Sequence, residues 1–168
     1  MALVGGGSTP KYSPNKVIIW DDNKTKSIAE LKFKMPVKAV RMSREQIAVV
    51  LEDRIYIYQL LDLMMKDAIE TAPNPDGISV LKNDILVCPD KEQGTVRINN
   101  FKQSIVNNIE AHEGPIRCLA LNHDSTLLAT ASEKGTLIRI FNTSTGKKVK
   151  EVRRGADTAH VYSISFNP

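Results

Sequence analysis

The sequence predicts an all-β protein built as a run of small four-stranded sheets, the blades of a β-propeller. Two observations carry this expectation. Strand-like segments end at Trp20-Asp21, Tyr58-Gln59, Ile98-Asn99 and Phe141-Asn142, 38, 40 and 43 residues apart. That period is close to the ~40–45 residues of a four-stranded WD-type blade. Between those ends, short runs of β-branched and aromatic residues alternate with clusters of Asn, Asp, Ser, Gly and Pro, the pattern of strands and turns. Only the first end spells Trp-Asp, so the other repeats are degenerate.

Taken in order, Ala2–Val4 and Lys16–Asp21 read as two strands joined through Gly5-Gly6-Gly7 and a proline-containing loop. The triple glycine lacks the following GK[ST] of a phosphate loop and reads as a flexible turn. Strands at Ile28–Phe33, Val37–Ser43, Gln46–Leu51 and Arg54–Gln59 then make one blade. The apolar Leu60–Met65 run reads as a covered connection to the next blade. That blade comprises Lys66–Thr71, Ile78–Leu81, Ile85–Cys88 and Thr95–Asn99. Its Asn74-Pro75-Asp76-Gly77 segment is a turn in which proline presets φ. A third blade runs Ile105–Ile109, Ile116–Leu121, Leu127–Ser132 and Leu137–Asn142, and Lys148–Arg153 with Val161–Phe166 begin another. The expected organisation is therefore a half blade at 1–22, blades at 23–60, 61–100 and 101–143, and a half blade at 144–168.

The most informative stretch is Leu127–Gly155. Ser132-Glu133-Lys134-Gly135 is turn chemistry, with Gly135 suited to positive φ. A basic strand from Lys147 ends in Arg153 and Arg154. Neighbouring side chains on a strand point to opposite faces, so two adjacent arginines serve two grooves rather than one. With Arg139, the hydroxyls of Thr130, Ser132 and Thr136, and the Gly135 amide, they compose an anion site suited to phosphate. The same residues also fit a solvated, charged outer strand.

The segment ATASEKGTLIRIF with Val152-Arg153-Arg154-Gly155 resembles the PROPPIN family, the WD-repeat phosphoinositide-interacting proteins of autophagy, whose mark is Phe/Leu-Arg-Arg-Gly. Ala2–Asp22 is similar to the family's second-blade sequence, and Glu70–Leu81 to its Asn-Pro-x-Gly turn. The three stretches occur in family order and look closest to the branch of the human type-three and type-four proteins. The resemblance implies a seven-bladed ring, of which this chain covers the middle, without the first blade or anything after the middle of the sixth. It implies one lipid site at Thr130, Ser132, Gly135, Thr136, Arg139 and Arg153, and a second represented by Arg154 and Gly155. It also implies the ligands, phosphatidylinositol 3-phosphate and phosphatidylinositol 3,5-bisphosphate, on preautophagosomal and endosomal membranes. The implied protein partner is the autophagic lipid-transfer machinery.

Composition sets the outer bounds. The chain has 168 residues, 42% hydrophobic and 25% charged, with a net charge of +4. That mild positive balance suits anionic partners without indicating nucleic acid, and none is expected. No apolar run approaches the ~20 residues of a membrane-spanning helix. Cys88 and Cys118 lack metal-motif spacing and read as free, buried thiols. No GxSxG or HExxH motif is present, and His112, His123 and His160 are scattered, so no catalytic residues, metal or cofactor are expected. His112, in AHEG, reads as the support of a blade turn. The alternative to a lipid effector is a WD-repeat scaffold that binds only protein.

Overall fold

A computed structural model describes residues 1–167. Fifteen strands form four antiparallel sheets. The first has three strands, β1 (Ala2–Val4), β2 (Lys16–Asp21) and β3 (Lys26–Lys32). The second holds β4 (Ala39–Met42), β5 (Gln46–Val50), β6 (Arg54–Gln59) and β7 (Met65–Glu70). The third holds β8 (Val80–Lys82), β9 (Ile85–Pro89), β10 (Thr95–Asn100) and β11 (Ile105–Glu110). The fourth holds β12 (Ile116–Leu121), β13 (Leu127–Ser132), β14 (Leu137–Asn142) and β15 (Lys148–Arg153). Each sheet runs in sequence order from first strand to last. The first strands β4, β8 and β12 contact one another in turn, which sets the sheets radially as propeller blades.

The core lies between blades rather than within them. Val17 and Ile19 of the first sheet pack on Ile47, Val49 and Leu51 of the second. Ile55, Ile57 and Ile69 of the second pack on Leu86 and Cys88 of the third. Val96, Ile98 and Ile109 of the third pack on Leu128 and Phe141 of the fourth. Alternation along the middle strands explains this: β5 and β9 are buried on both faces, so each faces two neighbouring blades. A blade has no core of its own and is stabilised by stacking.

Three expectations are corrected here. Blade boundaries fall one strand later than the repeat suggests. The strand after each Trp-Asp-type ending pairs back antiparallel on the strand it follows, as β3 does on β2 and β15 on β14. The repeat signature marks the third strand of a blade, whereas the sheet closes on the fourth. The N-terminal sheet therefore has three strands, not two, and Lys148–Arg153 completes the fourth blade instead of opening another. Val161–Phe166 forms no strand, because its backbone finds no ladder among the described residues. It lies against β12, where Cys118 Sγ donates to the Val161 carbonyl at 3.0 Å. Leu60–Met65 is not a covered connection between blades. It is the β6–β7 turn within one blade, with Leu61 89% exposed.

The last turn of each blade repeats one geometry. Thr25, Leu63, Ser104 and Gly146 occupy equivalent places and all have positive φ, 48°, 57°, 55° and 68°. Only the fourth is glycine. Register irregularities recur just before Trp20, Tyr58 and Phe141. Both free cysteines are buried, as expected from their spacing.

Candidate functional site

The site is assembled by β13, β14 and β15. β13 and β14 pair from Leu127↔Asn142 to Ala131↔Ile138, and the polar segment Ser132–Thr136 turns between them. β15 pairs with β14 so that Arg153 lies opposite Leu137. The Arg154 amide then donates to the Thr136 carbonyl at 2.8 Å, extending the ladder by one bond. Arg153-Arg154-Gly155 is thereby held beside the Ser132–Thr136 turn, as the sequence suggests.

The turn is closed from outside by the segment that follows. Gly135 has φ +64° and is buried, and a Cβ there would stand 1.9 Å from the Ala159 carbonyl oxygen. The Ala159 amide donates to the Lys134 carbonyl at 3.3 Å. Glycine is required at 135 both for its conformation and for this close approach.

The two arginines have different environments. Arg154 donates from Nε to the Gly135 carbonyl and from a terminal nitrogen to the Asp157 carbonyl, each at 2.7 Å. It clips the turn to the covering segment. Arg153 is exposed, and among the described residues its guanidinium has no hydrogen-bond or ion-pair partner. A free guanidinium beside a turn is suited to bidentate recognition of a phosphate. Lys134, in the turn itself, is a second exposed cation.

The remaining residues form the floor. Arg139 donates from Nε to Glu151 Oε2 and from Nη1 to the Ala111 carbonyl, each at 2.7 Å. Its charge is already compensated. Thr130 is fully buried, with Oγ1 2.9 Å from His112 Nε2 and donating to the Arg139 carbonyl at 3.3 Å. Ser132 and Thr136 are buried at the two ends of the turn, and Gly155 is half-buried. The structure thus brings Ser132, Gly135, Thr136, Arg153, Arg154 and Gly155 together, with Thr130 and Arg139 behind them.

Sequence reasoning missed two participants. His112 belongs to the floor and not only to a blade turn, and desolvation, aided by the Arg139 charge, pushes its imidazole pKa down. Glu151, between Arg139 and Lys148, is held below the usual carboxylate range by hydrogen bonds from those two side chains. A carboxylate two residues before a basic pair is the signal that marks Glu151. The His112–Thr130 contact spans 18 residues and leaves no local signal.

Comparison with known proteins bears on the family and the fold. A family model described as PROPPIN matches residues 7–167. The chain is 40% identical over 171 residues to Autophagy-related protein 18e of Arabidopsis thaliana, a match covering 99% of this chain and 46% of that protein. It superposes on Kluyveromyces lactis Hsv2 with a TM-score of 0.78 and 29% identity, over 86% of this chain and 47% of that one. A structure described as a complex of KlAtg21 with the coiled coil of AgAtg16 matches at a TM-score of 0.79 and 25% identity, covering 99% of this chain and 57% of that one. The chain spans about half the length of the curated relatives it matches.

Proposed function

The chain belongs to the PROPPIN family, and from that premise we propose that it is the phosphoinositide-binding part of a membrane effector acting in autophagosome formation. Its role is binding rather than catalysis. The ligands are the headgroups of phosphatidylinositol 3-phosphate and phosphatidylinositol 3,5-bisphosphate, on preautophagosomal and endosomal membranes. The single observation that carries this reading is Arg153, an exposed and uncompensated guanidinium beside a glycine-containing turn. Ser132, Thr136 and the backbone of Gly135 complete the first headgroup site with it, while Thr130 and Arg139 shape it from behind. Arg154 and Gly155 begin the second. Each charge-assisted hydrogen bond to phosphate contributes about 1.5–3 kcal/mol, so one shallow site binds weakly and two on one rim gain avidity.

The protein partners are the autophagic lipid-transfer machinery and, by the likeness to KlAtg21, a coiled coil of the kind named in that complex. The deciding experiment is vesicle flotation of wild type and an Arg153→Thr/Arg154→Thr variant, with circular dichroism as the folding control. Wild type is expected to float with phosphatidylinositol 3-phosphate vesicles and the folded variant to stay behind. If the folded variant floats equally, the protein-only scaffold reading replaces this one.

A further inference from the structure

A second concave surface lies away from the arginine pair. A cleft of about 410 Å³ opens where the β7–β8 loop, the β9–β10 turn and the β11–β12 connection meet. Its walls include Pro73, Pro75, Pro89 and Pro115, with Ile78 and Ile116 beneath. Prolines carry no amide hydrogen, so these walls are apolar with carbonyl acceptors and few donors.

The charge of the cleft opposes that of the chain. Asp76, Glu92 and Glu133 line it against Lys91 and Arg117, in a chain whose net charge is +4. Lys91 is already paired with Glu70, and Arg117 is shared between Asp76 and Glu133. Glu92 is exposed and has no cationic partner among the described residues. Carboxylates and carbonyls repel a phosphate and favour a donor-rich cation.

We propose that this cleft docks a short extended peptide carrying an arginine or lysine beside a bulky apolar residue, from a protein partner. The cation meets Glu92, and the apolar side chain covers Ile78 and Ile116 between the prolines. A lipid headgroup is disfavoured here by charge, and the cleft shares only Glu133 with the turn described above. The walls are preformed by proline-fixed backbone, which lowers the ordering cost of docking.

The test uses the full chain and two labelled peptides, Gly-Leu-Arg-Leu-Arg-Gly and its counterpart Gly-Leu-Glu-Leu-Glu-Gly, read by fluorescence anisotropy. The arginine peptide is expected to bind at least about tenfold tighter than the glutamate peptide, with an affinity that falls as salt rises. Its addition is expected to shift the methyl signals of Ile78 and Ile116. Glu92→Lys is expected to weaken it about tenfold while leaving vesicle flotation unchanged, and Glu92→Gln to fall between. Equal binding of the two peptides, no binding of either, or binding without the Ile78 and Ile116 shifts overturns the proposal. So does self-association of the chain that the arginine peptide cannot compete away.

Discussion

Arg154 Nε donates to the carbonyl of Gly135 at 2.7 Å, across a separation of 19 residues. One member of the arginine pair is thus a clip within the fold, while its neighbour Arg153 projects free. The pair is chemically alike but physically divided. Arg153→Thr removes no side-chain hydrogen bond or ion pair among the described residues and is expected to change stability by less than about 0.5 kcal/mol. Arg154→Thr removes two bonds to carbonyls at a solvated position and is expected to cost about 1 kcal/mol. Urea melts of the two single variants check this, and equal midpoints would show that the clip contributes nothing.

Gly135→Ala tests the covering segment. A methyl group at 135 meets the Ala159 carbonyl at an impossible distance, and positive φ disfavours any side chain. The segment after Gly155 must move away or the turn must distort. A loss of about 1–3 kcal/mol is expected, with faster proteolysis between Gly155 and Val161. An unchanged melting curve and digestion pattern would refute the close packing.

Much of the fold was legible because strand chemistry is local. Every strand of the three four-stranded sheets lies within a few residues of a segment that reads as a strand in the sequence. The phase of the blades was not legible, since the Trp-Asp-type ending is a feature of the third strand and pairing with the fourth is decided by the turn after it. Arg153, Arg154 and Gly135 were readable as a group from their spacing and from the family motif. The clip from Arg154 and the anchoring of Arg139 on Ala111 were not. Arginine reaches several ångströms and its acceptors here are backbone carbonyls, which every residue type supplies.

The floor of the site predicts a pH dependence. His112 has a native pKa lowered from 6.5, chiefly by desolvation. A group with a lowered native pKa binds more protons when unfolded in the window between its two pKa values. Its contribution to stability is therefore complete above about 6.5 and is lost as pH falls from there through the native value. Thermal melts of wild type and His112→Gln across this range are expected to differ in slope, with the variant flatter. Parallel curves would place the histidine in water rather than against Thr130.

The repeated turn geometry predicts opposite signs for two glycine exchanges. Ser104 and Gly146 hold equivalent positive-φ positions, at 55° and 68°. Ser104→Gly relieves a left-handed conformation on an exposed turn and is expected to gain about 0.5–1 kcal/mol net of the unfolded-state entropy. Gly146→Ala imposes the same strain and is expected to cost about 1–2 kcal/mol. Urea midpoints moving in the same direction for both would contradict the equivalence of the turns.

Glu151 holds both Arg139 and Lys148 beside the arginine pair. Its carboxylate accepts from Arg139 Nε at 2.7 Å and from Lys148 Nζ at 3.2 Å, so a single acid restrains two cations beside the arginine pair. Glu151→Gln removes one negative charge while keeping the shape of the side chain and a carbonyl acceptor. Each added positive charge near an anionic surface contributes about 1 kcal/mol, so vesicle binding is expected to tighten about fivefold at low salt and to return toward wild type as salt is raised. Arg139→Gln breaks the bond to the Ala111 carbonyl as well, and that bond joins β14 to the neighbouring blade. It is expected to lower stability by about 1–2 kcal/mol. If Arg139 acts only as that brace, Glu151→Gln tightens binding by the same factor in the Arg139→Gln background as in the wild-type background, because the gain comes from charge alone. If Arg139 is released to grip the headgroup, Glu151→Gln tightens binding in the wild-type background and not in the Arg139→Gln background. Flotation of the two single variants and their combination on phosphatidylinositol 3-phosphate vesicles separates a brace from a ligand contact.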